Sequence, residues 1–389
     1  MYSINYQRTD FSDKSLLLSM YVMIIMTIFN TNEYVAGLAF VLYPSILLLI
    51  CGILYKSHHY SNKINILALL LLASATLSTF ISPLPLKPTT FANLAFVIVS
   101  FIFVSSCNLS DYVFRRLFRF YILFSSLVCA VLLFNYIFHI GVQVYSEGNE
   151  RVSIVYGGIA KDVNYLSCFV VPCFVYYLYR GCMLLSKKDF IKAGLVFVAM
   201  FMAGSRSCFL AMMASSALII WKMLNDKNNK HKSLIIISLI LGSCVVFYFI
   251  SNSVIFARTT NFDGYSENSR LLIWGFALQA FYDNIYLGSG VESGSYYSLI
   301  YTPWKTHNCF IDILTGQGLL GAFIMILFLW ELVRVLPQNR IYMVCTMITF
   351  FVPLFFVNGY ECATMWTPLM ICRFLHDKCA EKDIMLFIN

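Results

Sequence analysis

Residues 309–333 read CFIDILTGQGLLGAFIMILFLWELV, and this stretch decides the class of fold. It is longer than the roughly 20 apolar residues that an α-helix needs to cross the hydrocarbon core of a bilayer. Its two charged residues, Asp312 and Glu331, lie near its ends. The stretch therefore predicts a transmembrane helix, and similar apolar stretches recur along the chain.

The chain as a whole is too apolar to fold in water. Of its 389 residues, 60% are hydrophobic and 12% are charged, with a mean hydropathy of +0.76. A soluble domain carries about 25% charged residues. Soluble enzymes, nucleic-acid-binding proteins and secreted disulfide scaffolds are therefore excluded. We predict an all-α polytopic membrane protein in which residues 1–389 form a single integral membrane domain with about twelve transmembrane helices. The predicted spans are approximately 15–31, 35–55, 64–81, 91–107, 120–142, 166–179, 190–204, 208–224, 234–250, 309–333, 341–358 and 363–375.

The formal net charge of +8 is a topology signal and does not indicate a nucleic-acid partner. Lys and Arg are enriched in the cytoplasmic loops of membrane proteins. When the N-terminus is placed in the cytoplasm, alternate loops hold the clusters of Lys and Arg, from Lys56 and Lys63 to Lys378 and Lys382. The sequence therefore predicts that both termini are cytoplasmic.

Two predicted extracytoplasmic segments are long enough to build a site, the loop 143–165 and the large loop 251–308. The large loop contains a helical pattern that begins near Arg270, and aromatic residues follow it, among them Tyr297 and Trp304. These rings fit either an interfacial aromatic belt or a surface on which sugar rings stack. The sequence leaves both interpretations open.

Three residues on the predicted outer side point to chemistry. His307 is the histidine of the large loop, and histidine is the natural general base near neutral pH. Arg206 lies in a tight turn between two spans, and Arg270 lies at a helix start, where the helix dipole disfavours a cation. Each residue also has an ordinary explanation, because a lone histidine is usually structural and a boundary arginine extends toward headgroups. Together they predict a phosphate-binding site with a base nearby.

Four short motifs carry a resemblance to a known family. His307-Asn308, nine further residues and Gly318-x-x-Gly321 resemble the H-[NSQ]-x9-G-x-x-G signature of the O-antigen ligase and O-antigen polymerase superfamily. Gly204-Ser205-Arg206 is similar to its Gly-Ser-Arg element, and Arg270-x-x-x-Trp274 is similar to its loop segment. Asp162-Val163-Asn164 resembles the Asp-Pro-Asn stretch of the polymerases, with Val163 in place of the proline. The motifs follow the order that the family shows.

The resemblance implies a GT-C-like, metal-independent glycosyltransferase with no cofactor, which acts at the periplasmic face of the bacterial inner membrane. Its donor and acceptor would be oligosaccharides linked to undecaprenyl pyrophosphate, and a chain-length regulator would be a partner. By the same analogy, His307 deprotonates the acceptor hydroxyl, and Arg206 and Arg270 bind the pyrophosphate. The further candidates for substrate contacts are Asn308, Asn164, Asp162, Tyr297 and Trp304.

Two reactions of the family share this chemistry and differ in the acceptor. A polymerase transfers the growing glycan to a new lipid-linked repeat unit, and a ligase transfers the finished glycan to the lipid A core. Residues 162–164 and the turn at 356–361 look more like those of a polymerase, which we favour. A lipid-linked oligosaccharide flippase or another transporter is the alternative from a different class. Transporters place ionisable residues at mid-membrane depth, whereas the predicted spans are nearly free of charge.

Overall fold

A computed structural model of the protein describes residues 11–28, 34–35, 38–39, 42–55, 62–144, 150–156, 159–160, 163–226, 270–357, 360 and 363–385. Seven helical segments within these ranges are long and apolar enough to cross a membrane. The chain is therefore a multi-pass membrane protein. Its helices are α1 (Phe11–Ile28), α2 (Leu42–Ile53), α3 (Lys63–Ile81), α4 (Pro88–Ser105), α5 (Asp111–Ile137), α6 (Val163–Val170), α7 (Pro172–Leu184), α8 (Lys187–Met202), α9 (Arg206–Asn225), α10 (Arg270–Ala277), α11 (Gln279–Asp283), α12 (Ser293–Tyr301), α13 (Cys309–Val333), α14 (Pro337–Leu354) and α15 (Ala363–Glu381).

Every predicted span except one overlaps a helix. The exception, 234–250, lies outside the described residues, as does the part of the large loop before Arg270. The tenth predicted span agrees at both ends with α13, which runs from Cys309 to Val333. The count of twelve spans stays a prediction.

Two helix boundaries differ from the prediction. Helix α5 begins at Asp111, well before residue 120, because the Ser110 side chain accepts a hydrogen bond from the Val113 N–H and caps the helix. Arg115, Arg116 and Arg119, which the predicted spans place in the loop before residue 120, are therefore helical. The sixth span consists of α6 and α7, which meet at Pro172. A proline has no backbone N–H to donate, so it favours a break at this point.

Short hairpins occur between the helices, and the sequence analysis did not identify them. Strand β1 (Tyr34–Val35) pairs with β2 (Leu38–Ala39), β3 (Val142–Val144) pairs with β4 (Glu150–Val152), and β5 (Val155–Tyr156) pairs with β6 (Ile159–Ala160), each antiparallel. The described part of the 143–165 loop is thus formed by two hairpins and the start of α6.

Helices α9 and α14 pack antiparallel, and the contacts between them show which of their ends lie at the same height. The Ser215 hydroxyl donates to the Cys345 carbonyl at 3.2 Å, and the Lys222 ammonium donates to the Gln338 carbonyl at 3.0 Å. Arg206 precedes Ser215 by the same number of residues as Leu354 follows Cys345. Since both helices rise equally per residue, Arg206 lies level with the end of α14. We call this end of the protein the upper end.

Basic residues gather at the opposite, lower end. The Lys378 ammonium donates to the Leu109 carbonyl at 2.9 Å and pairs with the Asp111 carboxylate at 2.8 Å, and Lys382 pairs with the same carboxylate at 2.9 Å. Lys222 also lies at this end and donates to the Tyr179 hydroxyl at 2.8 Å. Asp111, Lys378 and Lys382 belong to segments predicted to be cytoplasmic, and Lys222 lies within the predicted span 208–224, close to its cytoplasmic end. Their common location agrees with the predicted alternation of the loops.

Candidate functional site

Helix α13 is broken at Gly318, and a loop fills the break. Gly318 has φ 63° and ψ −160°, which no helix accommodates. Four hydrogen bonds between the loop and α13 replace the backbone hydrogen bonds of the helix that are interrupted at this point. The N–H groups of Ser289 and Gly290 donate to the carbonyls of Thr315 and Gly316, and those of Leu319 and Leu320 donate to the carbonyls of Ile285 and Tyr286. The loop 285–290 is therefore held by the backbone of the helix that follows His307.

Glycine is required where this loop meets the helix. A Cβ on Gly288, whose φ is +74°, would lie 2.4 Å from the Gln317 nitrogen, and a Cβ on Gly318 would lie 2.5 Å from the Gly288 nitrogen. Both contacts are with backbone, which cannot rotate away as a side chain can. The first glycine of Gly318-x-x-Gly321 thus opens the helix and admits the loop. The sequence analysis noted this motif without assigning it a structural role.

A buried polar network lies beside the break. The Ser74 hydroxyl donates to the Gln317 Oε1, and the Gln317 Nε2 donates to the Tyr360 hydroxyl. The carbonyl of Tyr360 accepts a hydrogen bond of 2.8 Å from the Trp366 indole. Gln317 and Thr315 are fully buried. Sequence reasoning missed Gln317, although an amide inside an apolar span is a signal, because a buried amide needs partners.

His307 lies in a strained backbone conformation between two fixed neighbours. Its φ of 49° is in the left-handed region, which costs a residue other than glycine about 1–2 kcal/mol. On one side, the Asn308 side chain caps α13 by accepting from the N–H groups of Phe310 and Ile311 at 3.0 and 3.1 Å. On the other side, the Thr306 hydroxyl lies 3.2 Å from the Ser295 hydroxyl. Strain of this kind is concentrated at functional sites.

Arg270 is tied to the His307 segment by its own helix. It is the first residue of α10, and one turn later the Trp274 indole N–H donates to the Thr306 carbonyl at 3.0 Å. The Arg270 guanidinium lies 5.0 Å above the ring of Phe356, just beyond α14. This is a cation–π contact, and it places Arg270 at the upper end.

Arg206 also lies at the upper end, on helix α9. It is the first residue of α9, which Ser205 caps by accepting from the Cys208 N–H. The Ser205 hydroxyl donates at 2.9 Å to the Asn164 side-chain oxygen. The ring of Phe310, close after His307, lies 4.2 Å from that of Phe355. These contacts place Arg206, Arg270 and the His307 segment at the same end of the helices.

The comparison with known families agrees with this arrangement. Residues 193–326 match the family model described as O-antigen ligase. The chain carries an O-antigen ligase/polymerase family domain. The matched residues include Arg206, Arg270, His307 and the break at Gly318, so the family resemblance is confirmed, while the stretch 162–164 lies outside the match. Members of this family are membrane glycosyltransferases. A comparison with curated proteins found no match.

An ion pair with a buried carboxylate provides a second support for the upper end. The Glu292 carboxylate accepts from the Lys305 ammonium at 2.9 Å and from the Thr90 hydroxyl at 2.7 Å. Only 9% of the Glu292 side chain is exposed. The sequence alone does not identify this ion pair, because a single sequence does not show which distant residues meet. Glu292 joins the start of α4 to the chain just before His307.

The other candidate residues occupy different surroundings. The Tyr297 hydroxyl donates to the Asp283 carboxylate, and this hydrogen bond raises the pKa of Tyr297 to about 12. Trp304 is 45% exposed, with its ring centroid 6.3 Å from that of His307. Asn308 is buried and uses its side-chain oxygen as a helix cap. Asp162 lies outside the described residues. A substrate contact stays a prediction for all of these residues.

Proposed function

We propose that the protein is an O-antigen polymerase, which transfers the growing glycan from undecaprenyl pyrophosphate to the acceptor sugar hydroxyl of a new lipid-linked repeat unit. The reaction takes place at the periplasmic face of the bacterial inner membrane. The hydrogen bond from Trp274 to the Thr306 carbonyl carries this proposal, because it holds the helix of Arg270 against the segment of His307. An arginine and a histidine on adjoining segments at the end of a membrane domain suit a lipid-linked pyrophosphate donor and a sugar acceptor.

Each residue has one role in the proposed transfer. His307 takes the proton of the acceptor hydroxyl while its oxygen attacks the anomeric carbon of the donor. The bond from that carbon to the pyrophosphate oxygen breaks, and undecaprenyl pyrophosphate leaves. Arg206 and Arg270 stabilise the negative charge that develops on this leaving group through charge-assisted hydrogen bonds. The donor already carries the activation for transfer, so the proposal assigns no cofactor.

The proposal also assigns the charge stabilisation to arginines and not to a metal ion. A guanidinium matches the planar oxygen pairs of a phosphate and stays charged at every physiological pH. In the described ranges, no three His, Cys, Asp or Glu side chains are placed to hold a metal ion. Arg206 and Arg270 therefore have the chemistry to bind a pyrophosphate at the upper end.

The alternatives differ in acceptor or in class. An O-antigen ligase would use the same three residues and transfer the glycan to the lipid A core. The Ser205 hydroxyl donates to Asn164 next to Arg206, which supports a role for the polymerase-like stretch 162–164 near the donor. A flippase would instead need polar groups along a path through the membrane. The grouping of Arg206, Arg270 and His307 at one end favours transfer over transport.

Deletion of the gene tests the choice between polymerase and ligase. We expect the mutant cells to carry lipid A core with a single repeat unit, because the ligase remains and only chain extension is lost. The measurement is electrophoresis of the surface polysaccharide together with analysis of the glycans on the carrier lipid. Long glycans that remain on undecaprenyl pyrophosphate, with lipid A core that carries no repeat unit, would identify a ligase. An unchanged polysaccharide would contradict both activities.

Replacement of either arginine with alanine is expected to weaken donor use. A hydrogen bond to a charged group contributes about 1.5–3 kcal/mol, so each of Arg206→Ala and Arg270→Ala should lower kcat/KM for the lipid-linked donor about 10- to 100-fold. Arg270→Lys should retain part of the activity, since an ammonium keeps the charge and loses the paired donors. The measurement is glycan transfer by the purified protein at several donor concentrations.

Arg334→Ala is the matched control for the arginine variants. Arg334 follows α13 at the lower end, and 62% of its side chain is exposed. Its loss should leave kcat/KM unchanged. Wild-type kinetics in both Arg206→Ala and Arg270→Ala would show that these two residues do not bind the pyrophosphate.

A further inference from the structure

The hydrogen bond between Trp274 and Thr306 joins two functional segments that are distant in sequence. Arg270 and Trp274 are four residues apart, so their side chains lie on the same face of α10. The indole N–H of Trp274 donates to the Thr306 carbonyl at 3.0 Å, and Thr306 directly precedes His307. One face of α10 thus carries both the Arg270 guanidinium and the Trp274 N–H group. The Trp274 N–H group holds the residue that precedes His307.

The bond matters because His307 needs both neighbours to be fixed. A left-handed residue relaxes toward an ordinary conformation unless the chain on either side is held. Asn308 is held by its cap on α13, and Thr306 is fully buried. Without the indole N–H, the buried carbonyl of Thr306 would lose a hydrogen-bond partner. That loss is comparable in free energy with the strain at His307, so it is large enough to change the conformation of His307.

We propose that Trp274 is a positioning residue, which holds the His307 imidazole in register with Arg270 through the carbonyl of Thr306. The role of His307 and Arg270 in this inference rests on the proposed glycan transfer. Trp274 acts through the Thr306 carbonyl and not on the reacting atoms themselves. Its loss should lower the fraction of molecules in which base and cation are correctly placed, and leave the binding of the donor to the arginines intact.

Trp274→Phe tests the inference, because phenylalanine keeps an aromatic ring and removes the N–H donor. We expect kcat to fall about 10- to 100-fold, as for other misplaced catalytic groups, with KM for the lipid-linked donor unchanged. On a His307→Asn background, Trp274→Phe should cause no further loss, since residues that act through one another are not additive. Trp330→Phe is the matched control, since Trp330 is 66% exposed on α13 and its loss should change neither parameter.

Hydrogen–deuterium exchange gives a readout that is independent of activity. We expect the amide groups of residues 302–309 to exchange faster in Trp274→Phe than in the wild type. If Trp274→Phe does not fold, Ser295→Ala provides the second test, because the Ser295 hydroxyl contacts Thr306 from its other side at 3.2 Å. Ser295→Ala should then lower kcat and raise exchange over the same residues.

The outcomes separate this inference from the proposed function. A wild-type kcat in Trp274→Phe, a rise in KM in place of the fall in kcat, or a further loss on the His307→Asn background would each overturn the positioning role. If the wild-type protein transfers no glycan from a lipid-linked donor, the proposed function fails. In that case faster exchange confined to residues 302–309 still supports the structural link, and unchanged exchange refutes it.

Discussion

Replacement of His307 with asparagine is expected to lower glycan transfer about 10²- to 10⁴-fold, which is the usual contribution of a general base. Asparagine suits this test because it tolerates the left-handed conformation better than most residues, and His307 has φ 49°. The variant should therefore fold normally and lose only the imidazole. His307→Gly should show the same loss of activity while it relieves the backbone strain. The measurement is chain extension by the purified variants, with thermal unfolding in detergent as the check on folding.

His139→Asn is the matched control for this experiment. His139 also has a left-handed backbone, with φ 54°, and it is exposed. Since it shares the conformation of His307 without its location beside Thr306 and Asn308, its replacement should leave transfer unchanged. Normal transfer in both His307 variants would show that His307 is not the base. A loss of transfer in His307→Asn together with unfolding would instead assign His307 a structural role.

Replacement of Gly288 with alanine is expected to unfold the upper end of the domain. The new Cβ would lie 2.4 Å from the Gln317 nitrogen, and the residue would keep a φ of +74°. Overpacking and left-handed strain together should cost roughly 2–5 kcal/mol. The four hydrogen bonds that join the loop to the break in α13 would be displaced as well. Gly318→Ala should have a similar effect, because its Cβ would meet the backbone of the same loop. The measurement is the midpoint of thermal unfolding together with the yield of folded protein.

Gly275→Ala and Gly194→Ala provide controls on other helices. A Cβ at either position meets nothing within 4 Å, and alanine stabilises a helix relative to glycine by about 1 kcal/mol. Both variants should therefore fold as well as the wild type or better. If Gly288→Ala and Gly318→Ala were as stable as these controls, the close approach of the loop to α13 would be incorrect.

The helices could be predicted because each depends on the residues of its own segment. An apolar stretch such as 309–333 must be helical in a bilayer, since hydrocarbon offers the backbone no hydrogen-bond partners. The basic residues then indicate which helix ends share one side, and Lys378 and Lys382 do lie together at the lower end. The three candidate site residues were identifiable for a related reason. A cation or a histidine in an apolar chain is costly, so it stands out from its surroundings.

The geometry around these residues could not be predicted, because it depends on contacts between distant segments. The sequence shows Gly318 inside an apolar helix and does not show the loop at 285–290 that fills the break. It shows Gln317 and Tyr360 and does not show that they meet. The pair of Glu292 and Lys305 was likewise unrecognised, since a charge in a loop is usually solvated.

The amino-acid sequence by itself determined that this chain is a membrane protein, which of its segments form helices and which residues are candidates for the proposed glycan transfer. These properties follow from the cost of placing polar groups in hydrocarbon, a cost that each residue incurs wherever its neighbours lie. Only the tertiary structure decided that His307 has a left-handed backbone, that Trp274 holds the residue before it, and that a loop replaces the hydrogen bonds of α13 at Gly318. These features arise from single hydrogen bonds and close contacts, whose partners are specified only when the helices have packed.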